Sequence, residues 1–118
     1  MEQELMKILK AISDENRLRI MNLLRNGELC VCEIESVLNL NQSNASRHLG
    51  KLTDANIINS YKKAQYVYFT LNKESLENHE FLSKLLEELD TMEKYKRDME
   101  ILNLFKEKGI GCKELERK

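Results

Sequence analysis

The sequence contains neither proline nor tryptophan, and only four of its 118 residues are glycine. Because turns depend on proline and glycine, this scarcity argues against a turn-rich all-β fold and favours a mainly helical one. No apolar run approaches the roughly 20 residues that span a bilayer, which predicts no membrane segment. Residues 1–4 carry acid where a signal peptide carries base, so we expect a cytoplasmic protein.

Features of enzymes are scarce as well. The chain has two histidines, and it lacks a glycine-rich phosphate loop and a nucleophile motif. Hydrophobic residues make up 42% of the sequence and charged residues 33%, which is typical of a folded domain with a solvated surface. We therefore predict one non-enzymatic domain over residues 1–118.

The formal net charge of −1 conceals an uneven distribution. Residues 1–40 sum to −2, residues 41–73 to +4 and residues 74–118 to −3. A basic segment between two acidic segments is typical of a face that binds a polyanion, although a random cluster on a solvated surface gives the same count.

The spacing of apolar residues predicts four short helices, a two-stranded β-hairpin and one long helix. In chain order they are helices over residues 5–12, 13–27, 31–39 and 41–56, strands over residues 57–62 and 66–71, and a helix over residues 73–108. Ser13 is the expected N-cap of the second helix, and Gly27 and Gly109 are the expected ends of the second and the long helix. This order predicts a mainly α, winged helix-turn-helix fold of the α+β type, followed by a flexible tail over residues 109–118.

The long helix carries an apolar stripe of about 25 residues from Leu82 to Phe105. A helix that is apolar on one face must bury that face. A second copy of the chain would cover it, which predicts a homodimer; the alternative is that the helix folds back on its own domain.

The fourth helix carries the polar side chains expected of a helix that reads the major groove of DNA. The candidate contacts are Gln42, Ser43, Asn44, Ser46, Arg47, His48 and Lys51 on this helix, with Lys62 and Lys63 on the wing. His48 could instead form a hydrogen bond at the edge of the core. For Tyr61 and Tyr66 we favour packing across the hairpin over stacking on bases.

Four stretches of the sequence resemble the ArsR/SmtB family of metal-responsive winged-helix repressors. They are LKAISDENRLRI (residues 9–20), ELCVCEI (28–34), QSNASRHL (42–49) and YVYFTL (66–71), and the resemblance extends over roughly residues 5–100. It implies a repressor that binds an inverted-repeat operator and controls resistance genes such as those of efflux pumps. The ELCVC element implies that trivalent arsenic or antimony is the inducer, or cadmium or lead as in a related branch.

The cysteines fit this reading chemically, because soft ions prefer thiolates and two nearby thiolates chelate. Cys30 and Cys32 would point about 200° apart on a regular helix, so they converge only if the helix begins between them or its first turn distorts. The alternative is that both are small buried apolar residues. With an odd number of cysteines in a cytosolic chain, we expect reduced thiols.

The sequence leaves two roles open for the third cysteine. The arsenic sensors of the family often place a cysteine where this chain has Glu35, so Cys112 in the tail is either the third ligand or a bystander. With two thiolates alone, a monosubstituted arsenical such as methylarsenite fits. Another branch binds zinc on the long helix; Glu77, His79, Asp90 and Glu93 echo its spacing, although His79 also fits a surface position at the helix start.

Two further functions remain open from the sequence. The same fold could sense thiol oxidation or persulfide, although cysteines two residues apart make a strained disulfide. It could also be a dimeric protein-interaction module without DNA binding, against which the polar and basic residues of the fourth helix and the wing argue.

Overall fold

The computed structural model describes residues 2–111. Its elements are α1 (Glu2–Ile12), α2 (Glu15–Leu23), β1 (Leu29–Cys30), α3 (Val31–Leu38), α4 (Gln42–Asp54), β2 (Ile58–Lys63), β3 (Tyr66–Leu71), α5 (Lys73–Asn78), α6 (Glu80–Leu89) and α7 (Glu93–Glu107). A short 3₁₀ turn, Leu24–Asn26, follows α2. The predicted winged helix-turn-helix fold is confirmed, with α3 and α4 as the helix-turn-helix and β2 and β3 as the wing.

Polar side chains fix where the helices begin. The α4 N-cap is Asn41, whose side-chain oxygen accepts a hydrogen bond of 2.8 Å from the backbone N–H of Asn44. For α2 the N-cap is Asp14, which accepts from the backbone N–H of Arg17 at 3.2 Å, and not Ser13 as predicted. Ser13 instead donates from its hydroxyl to the carbonyl of Lys10, one turn back in the preceding segment.

The sheet has three strands where the sequence predicts two. β3 lies between β2 and β1, and both neighbours are antiparallel to it. The two residues of β1 pair in the register Leu29↔Phe69 and Cys30↔Tyr68. So short a strand has no alternating pattern to reveal it in the sequence.

The C-terminal helical segment is divided into three helices, which corrects the prediction of one helix over residues 73–108. His79 leaves helical geometry at φ −127° and ψ 80°, and Met92 does so at φ −94° and ψ 136°. Each break redirects the chain, so that the apolar stripe folds back onto α2 and α3. Leu82, Leu89 and Leu102 are at most 3% exposed within this one chain, and they therefore need no second copy to cover them.

One core holds the helices and the base of the sheet together. Its largest fully buried apolar side chains come from nearly every element: Ile8, Ile20, Met21, Leu23, Leu29, Ile34, Leu52, Ile57, Ile58, Leu82 and Leu102. Polar contacts also fix how the helices are oriented. The guanidinium of Arg19 in α2 donates two hydrogen bonds, of 2.8 and 2.9 Å, to the buried Asp98 carboxylate of α7. Across residues 2–111, we find no helix with the length and apolar character needed to cross a membrane.

Candidate nucleic-acid interface and thiol site

The helix α4, here called the reading helix, has one buried and one exposed face. Ala45, His48, Leu49 and Leu52 anchor it in the core. The exposed face carries all the other predicted contacts of this helix: Gln42, Ser43, Asn44, Ser46, Arg47 and Lys51. Their amides, hydroxyls and cations are free of the core and are therefore available to a ligand as large as duplex DNA.

His48 does not belong to that exposed face, which corrects its place among the DNA-contacting candidates. Its side chain is buried, at 2% exposure for the residue. The Nδ1 atom lies 3.3 Å from Nη1 of Arg17 and 3.8 Å from Oδ1 of Asp14. Burial lowers the pKa of His48, and the nearby cations of Arg47 and Arg17 act in the same direction, against the attraction of Asp14. The alternative of a hydrogen bonder at the core edge describes it correctly.

On the wing, Lys62 and Lys63 are exposed near the hairpin turn, where they can approach a phosphate backbone. Tyr61 stacks on Tyr68, its register partner across the hairpin, with ring centroids 5.7 Å apart. The Tyr61 hydroxyl also donates a hydrogen bond to Glu28, and this bond, together with desolvation and the Glu28 charge, raises the pKa of the phenol to about 12. The packing role expected of Tyr61 is thus confirmed, with Tyr68 as its partner; Tyr66 lies opposite Lys63.

The two neighbouring cysteines lie where the chain changes from strand to helix. Cys30 is the last residue of β1 and the N-cap of α3, with extended geometry at φ −85° and ψ 163°. Helix α3 begins at Val31, so Cys32 is in its first turn. The helix therefore begins between the two cysteines, which is one of the two conditions we expected for their sulfurs to converge.

Backbone contacts connect this junction, residues 30–32, to both parts of the predicted DNA face. On one side, the pairing of Cys30 with Tyr68 joins it to the wing. On the other side, the Glu33 carboxylate accepts from the Cys30 N–H at 3.0 Å and holds the start of α3, which leads through residues 39–41 to the reading helix. A change in backbone position at the cysteines therefore reaches the wing through the pairing of β1 with β3, and the reading helix through α3.

The two neighbouring cysteines differ in their burial. Cys30 is 1% exposed and Cys32 is partly exposed. Glu35 is partly buried, and burial raises the pKa of its carboxyl. Cys112 lies outside the described residues.

The four residues that echo a zinc site have other neighbours. His79 is buried with its Nε2 atom 3.1 Å from a carboxylate oxygen of Glu4, contrary to a surface position. Asp90 accepts a bond of 2.7 Å from Arg25, and Glu93 lies 3.9 Å from Arg97, while Glu77 is exposed. Over the described part of the chain, no three His, Cys, Asp or Glu side chains are grouped so that they could hold a metal ion.

Some features of the site had no sequence signal. The contacts of Asp14 and Arg17 with His48 join residues about 31 positions apart. Lys7 and Lys10 fall within a segment whose summed charge is negative, yet they line a pocket against the reading helix. Only the folded chain shows which local charges face the same ligand.

Comparison with known proteins gives a consistent result. Residues 14–60 match a family model described as a bacterial regulatory protein of the arsR family. The arsenical resistance operon repressor of Staphylococcus xylosus is 32% identical over 113 residues, which are 96% of this chain and 92% of that protein. The arsenic resistance transcriptional regulator ArsR1 of Pseudomonas putida is 43% identical over 68 residues, 57% of this chain and 53% of that regulator. HlyU from Vibrio cholerae N16961 has a similar structure, with a TM-score of 0.64 at 33% identity, covering 76% of this chain and 91% of HlyU.

Proposed function

Because the chain belongs to the ArsR family of bacterial regulatory proteins, we propose that it is a homodimeric repressor released from operator DNA when trivalent arsenic or antimony binds Cys30 and Cys32. The family consists of DNA-binding transcriptional regulators and not of enzymes. The observation that carries the proposal is the start of α3 between the two cysteines, at a junction bonded to the wing and leading to the reading helix.

DNA recognition uses the reading helix and the wing together. Gln42, Ser43, Asn44 and Ser46 reach base edges and phosphates in the major groove, and Arg47 forks onto a guanine or a phosphate. Lys51, Lys62 and Lys63 contact the backbone on either side. An operator with inverted-repeat symmetry matches a symmetric dimer.

Inducer capture is a ligand exchange without change of oxidation state. Two thiols displace two hydroxyls of arsenous acid as two water molecules, which leaves one As–OH bond and two As–S bonds. The third position is then filled by hydroxide, by the organic group of methylarsenite, or by the thiolate of Cys112. Cadmium or lead would use the same sulfurs as an alternative inducer.

Capture releases DNA by changing the junction that supports the DNA face. Drawing the Cys32 sulfur toward Cys30 rotates the first turn of α3 or loosens the pairing of Cys30 with Tyr68. A hundredfold change in operator affinity needs about 2.7 kcal/mol of differential binding. That is modest beside the energy of binding a soft ion through two thiolates.

The proposed dimer uses the apolar face of α1. Leu5, Met6 and Leu9 lie on one side of this helix and keep 38%, 49% and 41% of their surface exposed. A second copy covers that face by the same contact in both directions. Light scattering after size exclusion should give twice 13.9 kDa, and Met6→Glu with Leu9→Glu should give the monomer mass. A monomer at concentrations that saturate DNA would contradict the dimer.

A release titration tests the inducer site. The probe is a duplex selected by the purified protein from a random pool, and the reductant is a phosphine, because a thiol reductant would bind arsenite itself. Arsenite should release the wild type, whereas Cys30→Ser and Cys32→Ser should bind DNA normally and stay bound. Antimonite, methylarsenite, cadmium, lead and zinc rank the inducers in the same assay.

Two outcomes of this titration count against parts of the proposal. An unchanged arsenite response in Cys32→Ser contradicts the two-thiolate site. An unchanged response in Cys112→Ser removes the tail cysteine from the ligand set.

Arg47→Ala with Lys63→Ala should abolish DNA binding; if these variants bind DNA as the wild type does, a protein-interaction module replaces the repressor.

A second candidate function is release by thiol oxidation, because the start of α3 lies between two neighbouring cysteines, Cys30 and Cys32. In a parallel titration, the phosphine is removed after reduction and an oxidant such as hydrogen peroxide replaces arsenite. Release by peroxide that the phosphine reverses, with no release by any of the metals, would support oxidation sensing over metal sensing. Release by arsenite under full reduction supports the main proposal.

A further inference from the structure

A pocket of about 330 Å³ lies between α1 and the reading helix. Lys7 and Lys10 of α1, Arg17 of α2 and Lys51 of the reading helix line it, and we call these four residues the basic pocket. Ala11, Asp54 and Ala55 complete its lining. The pocket thus brings together cations from three helices that are distant in the sequence.

Most of this positive charge has no internal partner. Within residues 2–111, Lys7, Lys10 and Lys51 form no ion pair, while Arg17 lies 4.0 Å from Asp14 and bonds to the carbonyl of Ala11. Asp54 is the one carboxylate among the described lining residues, so the lining carries three positive charges in excess. Lysines with exposed ammonium groups repel one another, and an anion seated between them relieves that repulsion.

The position of the pocket favours a phosphate of DNA as the anion. Lys51 belongs both to the pocket and to the exposed face of the reading helix, so the basic surface continues from the candidate base-reading side chains onto α1. Lysine ammonium groups contact phosphate as point charges and carry no base specificity. These features fit a backbone phosphate of a duplex whose bases the reading helix contacts.

We propose that the basic pocket binds a backbone phosphate of the operator beside the groove that the reading helix occupies, so that α1 adds a DNA contact to those of the helix-turn-helix and wing. This inference rests on the proposed DNA-binding function. It assigns Lys7 and Lys10 a role that is independent of base sequence, whereas the base-edge contacts of the reading helix discriminate between sequences.

The salt dependence of DNA binding tests the proposal. One phosphate contact contributes about 0.9 to the slope of log K against log salt concentration, so Lys7→Ala with Lys10→Ala should lower the slope by about 0.9 per protomer, about 1.8 for a dimer. The loss of affinity should be equal on selected and on random duplexes. Asp54→Asn should act in the opposite direction and tighten binding at low salt.

The matched control is Lys84→Ala with Lys96→Ala. It removes the same charge from α6 and α7, whose main packing partners are α2, α3 and α5. If this pair lowers the slope as much as the α1 pair does, the effect is the overall field and the pocket contact is refuted. Circular dichroism and thermal melting check that all four lysine changes leave the fold intact, as expected for exposed side chains.

Two further measurements, DNA binding by Arg47→Ala and calorimetry with inorganic phosphate, distinguish failure of the pocket contact from failure of the proposed function. If Arg47→Ala abolishes binding while the α1 pair has the wild-type slope, the pocket is refuted and the proposed function stands. If neither variant affects binding, or if the wild type binds no duplex, both the pocket contact and the proposed function are refuted. If calorimetry shows inorganic phosphate binding that the α1 pair loses, while the DNA slope is unchanged, the pocket serves a free anion and the DNA contact is overturned.

Discussion

Removal of the Asp98 carboxylate should destabilise the protein more than any surface change, because it leaves the Arg19 guanidinium without its partner. Asp98 is 3% exposed, and both guanidinium hydrogen bonds to it are shorter than 3 Å. Breaking a buried pair by removing one partner costs about 3–5 kcal/mol. Since Arg19 keeps 20% of its side-chain surface in solvent, we expect a cost at or just below the lower limit of that range, about 2–3 kcal/mol for Asp98→Ala.

Urea unfolding followed by circular dichroism measures this free energy at one fixed protein concentration, since the proposed dimer would make stability depend on concentration. The corresponding fall in Tm is about 10 °C for a domain of this size. Asp98→Leu with Arg19→Met is the control, because an apolar pair of similar volume should recover most of the loss. A cost below about 1 kcal/mol for Asp98→Ala would show that water already solvates the pair, and that this pair adds little to the other contacts that hold α7.

Three other changes test the structure at separate points. Burial holds the pKa of His48 below its usual 6.5 in the folded protein, so the unfolded chain takes up more protons on acidification and the free energy of unfolding should fall as the pH drops below about 6.5. Urea unfolding at pH 7.5 and at pH 5.5 measures this fall, and His48→Asn should remove the part of it that His48 causes. An unchanged difference between the two pH values in His48→Asn would contradict the burial. Asn41→Ala should lower the free energy of unfolding by about 1 kcal/mol, because it removes the N-cap of α4. The control is Asn44→Ala, which changes an exposed side chain but keeps the backbone N–H that the cap binds, and it should cost less. Equal losses in the two variants would show that the cap bond contributes nothing. Ala64 holds φ 58° at the tip of the wing, so Ala64→Gly should raise the melting temperature by a few degrees, and a fall would show that the hairpin turn carries no strain.

The elements with strong periodicity could be predicted from the sequence. Regular spacing identified α1 to α4, and β-branched and aromatic runs identified both wing strands within one residue. Helix geometry left two ways for the sulfurs of Cys30 and Cys32 to converge, a helix start between them or a distorted first turn, and the structure has the first.

The remaining features depend on contacts between distant residues. An apolar stripe has the same spacing whether its helix is continuous or broken, so the kinks at His79 and Met92 left no mark in the pattern. His48 carries a side chain suited to DNA or to the core, and only its packing against Arg17 decides between them. The two residues of β1 became a strand because β3 offered them a partner.

That short strand also sets the energy scale of the proposed switch. A backbone hydrogen bond contributes about 0.5–1.5 kcal/mol net, so the two residue pairs of β1 with β3 contribute a few kcal/mol in all. A hundredfold loss of operator affinity requires about 2.7 kcal/mol, which is the same magnitude. The pairing of Cys30 with Tyr68 is therefore weak enough for thiolate capture to break and strong enough for its loss to move the wing. Helix α3 buries three apolar side chains, those of Ile34, Val37 and Leu38, whereas β1 buries only Leu29 and Cys30, so α3 should yield less readily than β1. The wing, rather than the reading helix, should accordingly be the first DNA-contacting element to move when the inducer binds.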